Sequence, residues 1–286
     1  MASFPHGNRP QYPPGYEPAT TGYHKTINTR VVVGYPKWGF VIYRGTYNDD
    51  KLWEKCVALL KSSVNHWLRD RNQEDVLELN LVWTIVEDRE TLDGAPKEAV
   101  RTRFRKWAAG RSVERDGPGA DGPWVGKQCP RFRFCVYVDQ ASLDSLTARW
   151  IPHEKYWSLR GQVAIINGIH GHHDEDTLSH ATVRTARPKD GYEREGEGEG
   201  EDEDEHDESE DEEEVYSPIE GDTSKDVGWR YKDTDLLVTW YEELHKQGME
   251  WETWHHFYEG ERPYCPKVDA GTRGEPLAMV DLSRKE

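Results

Sequence analysis

The sequence predicts an α+β fold, and three observations carry that expectation. Short β-branched and aromatic runs alternate with longer segments whose apolar residues recur every three or four positions. The order is strand-helix-strand, an inserted helix, then strand-helix-strand, the skeleton of a ferredoxin-like, split-βαβ mixed sheet. One more strand and helix follow a long acidic stretch, and the shortness of that unit predicts that it docks on the same sheet. A doubly wound sheet is the alternative, because alternation alone fixes neither strand order nor direction.

The elements follow in order. Residues 1–36 are rich in Pro, Gly, Tyr and Thr without a sustained period and are expected to be a disordered tail. Gly39 to Arg44 is a β-branched and aromatic run bounded by Gly45, a first strand. Asn48 or Asp49 then caps a helix over about Asp50 to Arg69, whose Leu52, Trp53, Cys56, Leu59, Leu60, Val64 and Trp67 make one apolar stripe. Leu81 to Glu87 is the second strand. Pro96 opens a helix that ends near Gly110, and residues 111–128, with Gly117-Pro118-Gly119 and Asp121-Gly122-Pro123, form a long loop. Phe132 to Val138 is the third strand, Asp139 caps a short helix over Ala141 to Ala148, and Val163 to Asn167 is the fourth strand. Val227 to Tyr231 is the fifth, followed by a helix capped by Asp233 or Thr234 with Leu236, Leu237, Trp240, Tyr241 and Leu244 inward. The expected organisation is a core over 37–187, an acidic disordered linker over 188–217, a strand-helix unit over 218–268 completing the same domain, and a disordered tail over 269–286.

Charge is distributed unevenly over the 286 residues. Glu193 to Glu214 holds 16 Asp/Glu and one Arg, so this segment accounts for −15 of the formal net charge of −17 and the rest of the chain is nearly neutral. Such a run cannot bury enough apolar surface to order itself. It reads as a solubilising linker or as an intramolecular competitor for a basic surface. The N-terminus has no apolar segment of the secretory kind, and no run approaches the roughly 20 apolar residues of a membrane span. Four cysteines, Cys56, Cys129, Cys135 and Cys265, lack C-x-x-C pairing, so the expected setting is reducing and cytoplasmic.

Three groups of residues are candidate sites. Between Lys97 and Arg133 stand ten Lys/Arg and four Asp/Glu, with Phe104 and Trp107 interleaved. Guanidinium groups bind phosphates bidentately and stack on bases, so Arg101, Arg103, Arg105, Lys106 and Arg111 are candidates for an RNA-tracking surface, against the plainer reading of an exposed helix face. Carboxylates at strand ends come next: Glu87 and Asp88 after the second strand, Asp139 after the third, and Asp233 and Asp235 after the fifth. A desolvated carboxylate in a pocket can hold a cation or act as a general base, with Tyr43 and Arg44 lining the same pocket. A helix cap is the plainer role for Asp139, as it is for Asp233. Third, His170, His172, His173, Asp174, Asp176 and His180 form a dense ligand-like cluster, but the spacing matches no zinc motif and a solvated turn is the better reading. Trp254 to Tyr258 has no alternation and reads as the cover of a pocket or of a partner surface. No nucleophile elbow, P-loop or dinucleotide fingerprint is present.

Four segments in order, Gly39-Phe40-Val41-Ile42-Tyr43-Arg44-Gly45-Thr46-Tyr47, Trp83-Thr84-Ile85-Val86-Glu87-Asp88, Phe132-Arg133-Phe134-Cys135-Val136-Tyr137-Val138-Asp139 and Asp226-Val227-Gly228-Trp229-Arg230-Tyr231-Lys232, resemble a large set of small filamentous-fungal proteins, mostly called hypothetical. Within that set the chain is similar to the arginine-containing cyclodipeptide synthases. The resemblance implies an enzyme of secondary metabolism that takes arginine from arginyl-tRNA, joins it to a second aminoacyl group and releases a cyclo(Arg-Xaa) diketopiperazine, with no cofactor and no metal. Its partners would be arginyl-tRNA and a second aminoacyl-tRNA, with no DNA and no membrane. No catalytic motif of the family matches here residue by residue, so none of its residues is carried over. The residues themselves offer a compatible reading: a basic patch for the tRNA acceptor arm, Glu87 or Asp88 for the arginine guanidinium, and alignment of two activated esters in place of a nucleophile. The second reading is a non-enzymatic α+β protein that binds RNA or a protein, with the acidic segment tuning affinity. A third is a metal-dependent hydrolase built on the histidine cluster.

Overall fold

The computed structural model describes residues 11–14, 16, 25–147, 161–171, 218–224 and 226–245. Five strands form one mixed sheet: β1 (Val41–Arg44), β2 (Thr84–Val86), β3 (Phe134–Val138), β4 (Gln162–Asn167) and β5 (Trp229–Asp233), in the order β2-β1-β3-β4-β5. β1 is parallel to both β2 and β3, whereas β4 runs antiparallel to β3 and to β5. The class is α+β, as the alternation of elements predicts.

The split-βαβ arrangement is corrected by the strand order. In a split unit an antiparallel strand separates the two parallel strands of each βαβ; here Val41, Ile42 and Tyr43 of β1 pair directly with Thr84, Ile85 and Val86 of β2. The order 2-1-3 is that of the parallel half of a doubly wound sheet, completed by an antiparallel pair instead of further βα units.

Helices cover both faces. α2 (Asp50–Asp70) starts at Asp49, whose carboxylate accepts the Leu52 amide at 2.9 Å. Its buried Trp53, Cys56, Leu60, Val64 and Trp67 pack in one cluster with Ile42, Val136, Val138, Val163 and Ile165. Replacing the cap by alanine is expected to cost about 1 kcal/mol, measured by denaturant unfolding of Asp49→Ala. α3 (Glu74–Leu77) and α4 (Arg89–Leu92) are single turns flanking β2. α5 (Lys97–Ala109) follows Pro96, which sits at the N-cap rather than inside the helix, and it covers the other face of the sheet through Val100 and Phe104. The expected loop over 111–128 contains two short helices, α6 (Val113–Asp116) and α7 (Val125–Gln128). α8 (Gln140–Ser145) is capped by Asp139, and α9 (Leu237–Glu243) ends the described chain after one turn of 3₁₀ helix over Thr234–Leu236.

Residues 25–33, inside the stretch expected to be a tail, form helix α1 (Lys25–Val33). Its sequence is rich in Thr and Val and weak in intrinsic helix propensity, so packing decides its state. Thr26, Ile27 and Val33 are buried, Arg30 donates to the Val76 carbonyl at 3.0 Å, and α1 lies on α7 and α9.

All of this belongs to one unit, drawn from residues up to 170 and from 226 onward. In the other unit, residues 171–225, Ile219 and Asp222 exchange backbone hydrogen bonds at 2.9 and 3.0 Å. The acidic run 193–214, the boundaries drawn at 187–188 and 217–218, the C-terminal boundary at 268–269, Trp254 to Tyr258 and Cys265 lie outside the described residues. Among the described residues no helix is long and apolar enough to cross a membrane.

Candidate functional site

Because β1, β2 and β3 are parallel, their carboxyl ends meet at one edge of the sheet. β2 lies on one side of β1 and β3 on the other, so the chain reverses direction of travel at β1, the place where open α/β sheets hold ligands. Three loops form this crest: Gly45 to Asp49 after β1, Glu87 and Asp88 after β2, and Asp139 after β3. The Thr46 hydroxyl donates to Gln140 Oε1 at 2.7 Å and the Asn48 amide donates to the same oxygen at 3.1 Å, which ties the first loop to the third. Gly45 is required where it stands: a β-carbon there would fall 2.1 Å from the Tyr137 ring, which is pinned beneath it by a 2.7 Å bond from its hydroxyl to the Ala95 carbonyl.

On the α2 side the crest is built around Arg44. Its guanidinium lies 4.3 Å from the Tyr47 ring centre and 5.2 Å from that of Trp53, donates to the Thr46 carbonyl at 2.9 Å, and pairs with Asp50 and, at 3.6 Å, with Glu87. The Trp53 indole donates to the other Glu87 oxygen at 2.8 Å. Glu87 is therefore held by its own protein's guanidinium, although half its side chain faces water.

Asp88 turns to the α5 side. Both terminal nitrogens of Arg103 donate to its Oδ2 at 2.9 Å, and the Thr91 hydroxyl donates at 2.7 Å. The Thr91 bond first and Arg103 second hold this carboxyl below the usual carboxylate range. Its backbone amide donates to the Tyr47 hydroxyl at 2.7 Å. Sequence neighbours taken as one pair are thus held from opposite faces of the sheet.

Asp139 is a saturated acceptor. Oδ1 takes the Ser142 amide and hydroxyl, both at 2.9 Å; Oδ2 takes the Tyr231 hydroxyl and faces the Lys97 ammonium at 3.2 Å. Lys97 is buried and also lies 4.1 Å above the Trp229 ring. The cap reading of Asp139 holds, and its bonds are structural. Asp233, the other strand-end candidate for a cap, makes no side-chain cap bond.

Tyr43 does not line a pocket with Arg44. Successive residues of a strand point to opposite faces, Tyr43 is fully buried, and burial pushes its phenol above the usual range.

The basic segment is spent largely inside the fold. Lys97, Arg101, Arg131 and Arg133 are buried. Arg101 donates to the Asn167 and Val227 carbonyls at 3.1 and 2.7 Å, and Arg105 donates to the Gly168 carbonyl at 2.6 Å and to that of His170. Both tie α5 to the strand ends at β4 and β5. Arg131 donates to the Gly39 carbonyl at 3.0 Å and to the Thr84 hydroxyl at 2.7 Å, and burial lowers the Arg133 guanidinium to about 10. Lys106 is exposed and Arg111 half-buried, so the five RNA candidates do not form one continuous phosphate-facing row.

Of the histidine cluster only His170 is among the described residues, paired with Asp226 at 3.6 Å, and among those residues no group of three or more His, Cys, Asp or Glu is placed to hold a metal ion. Cys56, Cys129 and Cys135 are buried free thiols; burial raises Cys56 and Cys129 to about 12. No family model matches the chain, no curated protein matches it in sequence, and no solved structure matches it.

Sequence reasoning did not single out Tyr47, Trp53, Thr46, Gln140 and Tyr231 as crest residues. Position alone marks four of them: Thr46 and Tyr47 follow the end of β1, Trp53 is one turn into the helix that follows, and Gln140 succeeds the cap Asp139.

Proposed function

We propose that this chain is a non-enzymatic binding protein whose crest takes a basic peptide segment of a partner protein. The observation that supports this reading is that the candidate catalytic groups are already engaged. Glu87, Asp88 and Asp139 each pair with a cation of the chain, Arg44 is stacked and paired, and Tyr43 is buried on the other face. A group already paired within its own chain must give up that partner before it can act on a substrate.

Charge favours a basic partner. The segments 47–50 and 87–93, which run from the first two crest loops into the start of α2 and past α4, carry six carboxylates, Asp49, Asp50, Glu87, Asp88, Glu90 and Asp93, and one cation, Arg89. Arg44 from beneath and Arg103 from α5 offset two of them. A surface of one sign steers association with the opposite sign. The burial of guanidiniums in the 97–133 segment counts against a polyanion such as RNA.

The arginyl-transfer reading uses the same crest, since an acidic rim also suits an arginyl guanidinium. The two readings separate on one product. Expression in bacteria, followed by mass spectrometry of the medium for arginine-containing diketopiperazines, is expected to show none above an empty-vector control; a new cyclic dipeptide would replace binding by synthesis. Calorimetric titration with an Arg/Lys-rich peptide is expected to show saturable binding that weakens as salt rises, and an equal-length Glu-rich peptide none.

A further inference from the structure

The sheet ends in an open edge next to the crest. β2 has β1 on one side, and among the described residues no strand lies on its other side. The Val82 amide donates to the Trp38 carbonyl at 2.9 Å and the Trp38 amide donates to the Asn80 carbonyl at 3.1 Å, so Asn80 and Val82 face β1. Main-chain polar groups alternate sides along a strand. Thr84 and Val86 therefore also face β1, and the N–H and C=O groups of Trp83 and Ile85 face outward.

The outward groups belong to an uncharged run, Leu81-Val82-Trp83-Thr84-Ile85-Val86, every residue of which is partly exposed. Leu81, Trp83 and Ile85 pack against the core on the α2 side without being fully covered by it. Folded proteins usually protect such an edge with a charge, a proline or a bulge that blocks a further strand. This run contains no charge and no proline, and its register with β1 is unbroken from Trp38↔Leu81 to Tyr43↔Val86.

We propose that the partner's basic segment binds as an extended strand added to β2, its backbone pairing with Trp83 and Ile85 and its terminal cations meeting carboxylates at both ends of the edge. The proposal rests on the crest reading and gives the partner segment its conformation. Charge selects the occupant. Glu87 and Asp88 follow Val86, and Glu74, Asp75 and Glu78 precede Leu81. Asp75 and Glu78 are exposed, while Glu74 pairs with Arg69 at 3.6 Å. Arg131 also reaches β2, but it is buried and donates to the Thr84 hydroxyl. A strand with an apolar middle and a cation at each end thus matches an apolar edge with carboxylates at each end. A second copy does not match it. Two-fold antiparallel pairing of 81–86 with itself would bring Glu78 of one copy toward Glu87 and Asp88 of the other, like charge against like.

The test uses the ¹⁵N-labelled full chain and a synthetic peptide of alternating Val and Thr with a pair of Arg at each end. At saturating peptide, hydrogen exchange at the Trp83 and Ile85 amides is expected to slow by about tenfold or more beyond any slowing in β3, while the Trp53 indole and Asp88 amide signals shift. N-methylation of every second peptide residue removes the donors on one side of the peptide only. Of the two phases, one is expected to weaken binding by about tenfold or more and the other by less than about twofold. Crest shifts with Trp83 and Ile85 still exchanging fast, or equal affinities for the two phases, overturn strand addition and leave the crest reading in place. Binding of neither this peptide nor an Arg/Lys-rich one overturns both. Slow exchange at Trp83 and Ile85 in the free chain, or self-association that grows with concentration, would show the edge already occupied and overturns strand addition as well.

Discussion

Asp139→Ala is expected to destabilise the fold by about 3–5 kcal/mol, the cost of stranding a buried charge. The carboxylate takes four bonds: two from Ser142 that cap α8, one from the Tyr231 hydroxyl of β5, and the ion pair with Lys97 at the start of α5. One side chain therefore joins β3, β5, α5 and α8. Truncation removes the carboxylate 3.2 Å from the Lys97 ammonium, and the Trp229 and Tyr231 rings beside it cannot replace that charge. Adding Lys97→Met removes the stranded charge, so the double variant should be more stable than Asp139→Ala alone. Urea unfolding of the three variants checks this. A loss below about 1 kcal/mol for Asp139→Ala, or strict additivity with Lys97→Met, would show that the pair is not coupled.

Gly45→Ala is expected to cost about 1–3 kcal/mol through overpacking rather than backbone strain. The new methyl would meet the Tyr137 ring at 2.1 to 2.4 Å, and that ring is fully buried with its hydroxyl fixed on Ala95. The Gly45 carbonyl also accepts the Gly94 amide at 2.9 Å, so a shift of this turn pulls on the approach to α5. Combining Gly45→Ala with Tyr137→Leu, which vacates the ring's space, should recover part of the loss. If the double variant is as unstable as the sum of its parts, the clash is not the cause.

The elements were legible in the sequence because their signals are local. The Leu52 to Trp67 stripe lies in α2, Asp49 and Asp139 cap where their spacing before apolar runs places them, and all five strands fall on β-branched or aromatic runs. Strand order was less legible, though one signal was available. Val41 to Arg44 and Phe134 to Val138 are buried at every position, as strands of a parallel sheet covered on both faces are, and an unbroken apolar run favours the doubly wound alternative over the split-βαβ sheet. Helix α1 was missed because Thr and Val carry little helix signal and its stability comes from α9, more than 200 residues away.

The site was legible in position but not in state. Carboxylates after strand ends mark the crest, yet nothing in the spacing reveals that Arg44, Lys97 and Arg103 come back to pair with them. A count of cations over 97–133 likewise suggests an external surface, whereas Arg101 and Arg131 are committed to backbone carbonyls of the fold. Pairing of this kind is fixed by tertiary structure, so charge counts alone overstate what is available to a ligand.

The central claim is that the crest receives a basic partner segment, and the Trp53 indole proton, bonded to Glu87, is its nearest reporter. Titration of the ¹⁵N-labelled chain with an Arg/Lys-rich peptide, with the Trp53 signal assigned by Trp53→Phe, should shift that signal saturably together with the amides of Tyr47, Asn48 and Asp88, leaving Lys106 and Arg111 in place. Shifts confined to the outer face of α5, or none anywhere at saturating peptide, would contradict the account.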